Sequence, residues 1–68
     1  MELAAIITSA MEGGYIAFNP DTGTTTQGET VEEALDNLKE ATELYLEEFP
    51  LDRTSRPILT TFQVANHA

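Results

Sequence analysis

No cysteine occurs among the 68 residues, so neither a disulfide nor a thiolate metal site can staple this chain. Tryptophan is also missing, and His67 is the single histidine. A transition-metal site needs several converging ligands, so neither a metal centre nor any other cofactor is expected. Basic side chains are almost as scarce. Lys39, Arg53 and Arg56 stand against twelve Asp and Glu, for a net charge of −9. Gripping a phosphate backbone depends on Lys and Arg displacing counterions, so direct binding of nucleic acid is not expected. A cationic protein is the better electrostatic match. No basic start leads into an apolar run, and nothing approaches the roughly 20 apolar residues that cross a bilayer. The expectation is a cytoplasmic protein with no membrane association. A 7.4 kDa chain buries only about 60% of its extended surface. With disulfides and metals excluded, self-association is the remaining staple, as a homodimer or a higher homo-oligomer.

What is present is a string of turn, strand and helix signals. Leu3 to Ser9 is short, apolar and branched near its end, and reads as a first strand. Gly13 and Gly14 supply the positive φ of a tight hairpin. Tyr15 to Phe18 is then an antiparallel second strand, with Tyr15 and Ala17 on one face and Ile16 and Phe18 on the other. Asn19 to Gly23 builds a turn: Pro20 fixes φ, Asp21 can bond its own backbone, and Gly23 relieves strain. Thr24 to Gln27 suits a short third strand, which Gly28 ends. Thr30 and Glu33 form a capping box, the Thr30 hydroxyl accepting from the Glu33 amide and the Glu33 carboxylate reaching back to the Thr30 amide. Apolar residues then recur at Val31, Ala34, Leu35, Leu38, Ala41, Tyr45 and Phe49, a helical spacing that Pro50 ends. From Glu29 to Glu48 there are eight acids and one base, Lys39. Acids in the first turn suit the helix dipole, whereas Glu47 and Glu48 oppose it. Leu51 to Pro57 is a polar connector whose Arg53 and Arg56 answer the chain's own acids. Ile58 to Val64 alternates clearly, with Ile58, Thr60, Phe62 and Val64 on one face and Leu59, Thr61 and Gln63 on the other, and reads as a last strand.

The order β-β-β-α-β predicts an α+β fold in one domain. A meander followed by a right-handed crossover places the last strand beside the first. The expected sheet is single and four-stranded, in order 3-2-1-4, with one helix packed on one face. The uncovered face is partly apolar and marks an interface. A three-stranded sheet whose last segment passes to a second chain is the variant of this plan.

At these residues the chain resembles the short HicB-type antitoxins of toxin–antitoxin systems. The resemblance rests on Gly13-Gly14-Tyr15, Pro20 through Gly23, Thr26-Gln27-Gly28-Glu29-Thr30, Glu32-Glu33-Ala34-Leu35 and Leu44-Tyr45-Leu46-Glu47, in order and at the family's spacing, over about half the chain. It implies a partial RNase H-like fold and the inhibition of a HicA-type toxin, a small basic ribonuclease. Thr24-Thr25 departs from the apolar residue and cysteine that many members carry there. No separate DNA-binding domain is expected in 1–68, and so no autonomous binding of a promoter.

On that scaffold Asp21, Glu29, Glu32 and Asp36, near the turn and the helix start, are the candidate contacts to a basic partner. An RNase H-like nuclease would need several carboxylates converging on two metal ions about 3.5–4 Å apart. The expected strand interiors hold no Asp or Glu, so an enzyme is not expected. The alternative to an antitoxin is a solitary homo-oligomeric protein, structural or regulatory, with no toxin partner.

Overall fold

The computed structural model describes residues 2–51 and 58–66. Three strands and a helix follow one another: β1 (Ile6–Ser9), β2 (Tyr15–Phe18), β3 (Thr25–Gly28) and α1 (Val31–Glu48). The sheet is an antiparallel meander in order β1-β2-β3, with Ile7 opposite Ala17 and Ala17 opposite Thr26. Ala17 therefore shares a face with Ile7, Thr26 and Tyr15, and this is the face α1 covers. The α+β class stands.

Both hairpins close as their residues dictate. At the first, the Ala10 amide donates to the Gly14 carbonyl at 3.0 Å and the Gly13 amide to the Ala10 carbonyl at 3.2 Å. Gly13 and Gly14 have φ of 101° and 80°, values that L side chains rarely adopt. At the second, buried Asn19 organises the turn. Its Oδ1 accepts from the Thr22 amide and the Thr22 hydroxyl, each at 2.8 Å. Its Nδ2 donates to the Ala4 carbonyl at 2.7 Å and to Asp21 Oδ2 at 3.2 Å. The self-bonding expected of Asp21 thus belongs to Asn19, and Asp21 is one of its acceptors.

The chain passes from β3 to α1 through a close backbone approach at Gly28. A Cβ on Gly28 would lie 2.5 Å from the Ala34 nitrogen, so only glycine lets the first helical turn settle on the strand. Thr30 caps α1, its hydroxyl accepting from the Glu33 amide at 3.0 Å. The reciprocal arm moves by one residue, because Glu33 Oε1 accepts from the Glu29 amide at 2.9 Å rather than from Thr30. Thr26 donates to the Ala34 carbonyl and Asn37 to the Gln27 carbonyl, both at 2.9 Å, tying the helix to β3.

Two expectations are corrected. The buried helical line is Ala34, Leu38 and Thr42, not the expected run of Val31, Ala34, Leu35, Leu38, Ala41, Tyr45 and Phe49, of which Val31, Leu35, Tyr45 and Phe49 are exposed. An 18-residue helix is about 27 Å long, whereas a four-residue strand spans about 13 Å. The last turns of α1 therefore run past the sheet, where Tyr45 stacks on Phe49 with ring centroids 5.1 Å apart. The larger correction concerns the sheet. It has three strands among the described residues, not four in order 3-2-1-4, and Ile58 to Val64 is not one of them. Alternation equips a segment to be a strand without naming its partner. Here all of 58–66 is exposed, so the four-stranded plan does not hold. Arg53, Arg56 and His67 lie outside the described residues.

Candidate functional site

Two surfaces stand out, one charged and one apolar. The charged one is built on α1. Its first turn is acidic, with Glu32 and Glu33 behind the Thr30 cap, and there is no base in the last. Glu32 and Asp36 are four residues apart and so project from the same side of the helix. Glu29 sits one residue before the cap, its amide held by Glu33. These three form one exposed group around the helix start.

Asp21 is not part of it. It lies in the turn between Phe18 and Thr25, whereas Glu29 follows Gly28 at the other end of β3. The strand separates them, and Asp21 is half-buried, engaged by Asn19. Of the four candidate contacts the structure groups Glu29, Glu32 and Asp36 and sets Asp21 at the opposite end of the sheet.

The remaining motif residues have structural roles. Gly14 lies so close to β3 that a Cβ would meet the Gly28 carbonyl oxygen at 2.7 Å. Tyr15 packs against the Ala17–Ala34–Leu38 core. Pro20 and Gly23 shape the Asn19 turn, where the Gly23 amide donates to the Asn19 carbonyl at 2.9 Å. Gln27 offers its carbonyl to Asn37. Thr30 and Glu33 hold the cap. These roles are met within the fold by turn geometry, packing and capping.

The apolar surface is an open groove of about 530 Å³ between residues 2–5 and α1, walled by Leu3, Leu35, Leu38 and Leu46. It exists because α1 lies over β3 and β2, leaving the β1 side of the helix bare. Asn19 lies at its base, and Glu2, Lys39 and Glu43 also line it. Thr42 lines it too; its hydroxyl is buried and finds no hydrogen-bond partner. Such an orphan costs about 1–3 kcal/mol.

Sequence reasoning missed both Asn19 and Thr42. The signal for Asn19 was available: an Asn before Pro in a turn is placed to bond the backbone beyond it. Nothing in the pattern singles out Thr42, a polar residue between Ala41 and Glu43.

Among the described residues no three of His, Asp and Glu come together as metal ligands, and no helix is long and apolar enough to cross a membrane. Comparison with protein-family models, curated proteins and solved structures finds no match to this chain.

Proposed function

We propose that this chain is a HicB-like antitoxin domain that binds and neutralises a small basic ribonuclease of the HicA type. The observation that carries the reading is the exposed acidic surface of α1, eight acids and one base between Glu29 and Glu48, opening on the Thr-Gln-Gly-Glu-Thr string that resembles the family. Such a surface attracts a cationic protein over a Debye length of about 8–10 Å and raises the association rate by 10–10³-fold. It would compete directly with RNA phosphates for the ribonuclease's Lys and Arg. Glu29, Glu32 and Asp36 are the contacts of this reading, and Asp21 is the outlying fourth.

A binding role fits the distribution of carboxylates better than catalysis does. β1, β2 and β3 carry no Asp or Glu, so acids on the helix have no strand partner with which to share a metal or a proton.

The test is co-expression with a small Lys- and Arg-rich HicA-type protein, sought first among the open reading frames that flank this one. Growth should be restored, and a complex should co-purify at low salt and weaken as salt rises. A Glu32→Lys, Asp36→Lys double substitution should slow association while leaving the helix intact. Persistent toxicity with no complex at low salt refutes the reading. The exposed apolar residues 58–64 favour the second reading, a homo-oligomer without a toxin partner; a stable oligomer and no basic neighbour would select it.

A further inference from the structure

The core of one protomer is thin. Ala17, Ala34 and Leu38 are the buried apolar residues among those described. Beside them lies the groove, whose other wall is residues 2–5; these lead into β1, whose outer side is open because it is the first strand of the sheet. The opposite edge is treated differently: α1 covers β3, and Asn37 already occupies the Gln27 carbonyl. One edge is protected and the other, flanked by an unfilled apolar groove and the orphaned Thr42 hydroxyl, is bare. Open edges of this kind are templates for another strand.

The same chain carries a segment that suits this edge. Ile58, Thr60, Phe62 and Val64 fall on one side of an extended chain, and Ile58, Phe62 and Val64 are 88%, 85% and 75% exposed. Neither 58–64 nor 3–9 contains a charged residue, in a chain whose net charge is −9. A cationic partner has little to gain from two such neutral, apolar surfaces, whereas they complement each other. Seven residues of extended chain span about 23 Å, long enough to run along β1 and past it to the groove-lining residues 2–5. Within its own protomer the segment leaves the groove empty. The Cα radius of gyration is 14.0 Å, against about 11 Å for a compact chain of this length.

We propose that residues 58–64 of one copy lie along residues 3–9 of a second copy, seating Phe62 in its groove against Leu35, Leu38 and Leu46, and that the exchange is reciprocal. Each protomer keeps its own three-stranded sheet; the added segment belongs to the other chain. The incoming backbone supplies hydrogen-bonding groups to the bare β1 edge. A two-fold exchange satisfies both exposed surfaces at once and closes the assembly. Of the acids on α1, Glu43 borders this groove, whereas Glu29, Glu32 and Asp36 do not line it.

Native mass spectrometry and light scattering on the full chain give the first test. The expected mass is twice 7.4 kDa at micromolar concentration, and Phe62→Asp should halve it while the helical circular dichroism persists. Because the chain has no cysteine, a second test is clean. Ala5→Cys and Val64→Cys variants, mixed and treated with a short bis-maleimide, should yield a product joining one chain of each kind. Three results overturn the proposal: a 7.4 kDa mass throughout, an oligomer that survives Phe62→Asp, or an Ala5→Cys, Val64→Cys double variant that cross-links only within one chain. If Phe62→Asp fails to fold, the cross-link pattern decides.

Discussion

Residues 13–33 and residues 58–64 carry equally clear sequence patterns and meet opposite fates. In the first stretch the turn and cap signals are answered within a few positions. Gly13 bonds Ala10, Asn19 bonds Thr22, and Thr30 bonds Glu33. In the second, clear alternation produces no strand, and its large apolar side chains are exposed. A turn or a cap is completed by atoms nearby in sequence, so it forms wherever its residues occur. A strand is completed only by another edge, whose location the strand's own residues do not specify.

Substitutions that attack the locally closed stretch should sharpen this contrast. Gly28→Val should be the most damaging, because the added Cβ would sit 2.5 Å from the Ala34 nitrogen and drive the helix off the sheet. We expect a loss of about 3 kcal/mol or more, read in urea unfolding followed by circular dichroism. Asn19→Ala strips the Ala4 carbonyl and the Thr22 amide of their partner. It should cost about 2 kcal/mol, with faster hydrogen exchange at the Thr22 amide. Thr30→Ala removes only the cap and should cost about 1 kcal/mol, visible as a lower midpoint with an unchanged slope. Ile58→Ser, at the other pole of the comparison, should change protomer stability by less than about 0.5 kcal/mol at dilutions where the chain is monomeric. A large loss there would show that 58–64 stabilises its own protomer, and the contrast would fall.

The sequence pointed to β2 at its observed limits, to the helix from Val31 up to Pro50, and to the Thr30 cap, because each rests on short-range stereochemistry. Its legibility declined with the distance over which an element must find its complement. The reciprocal arm of the cap was one residue off, since a flexible Glu33 side chain reaches the Glu29 amide as readily as that of Thr30. The helix stripe was displaced toward Ala41 and Tyr45, because both lie within about one-sixth of a turn of the true line and only the sheet beneath selects Thr42. The acidic group at Glu29, Glu32 and Asp36 was visible from helical spacing. The separation of Asp21 from it was not, since that depends on which end of β3 each residue occupies.

Composition and local pattern by themselves determined the absence of covalent staples, the excess of negative charge, the two turns and a capped helix. All of these follow from residue chemistry or from hydrogen bonds closed within about five positions. Tertiary structure alone decided that α1 settles over β3 and β2, that a groove opens beside β1 with Thr42 unanswered, and that 58–64 stays off its own sheet. Those outcomes turn on how a helix about twice as long as its strands is placed against them, a choice made by the close approach at Gly28 and the buried contacts of Ala17, Ala34 and Leu38.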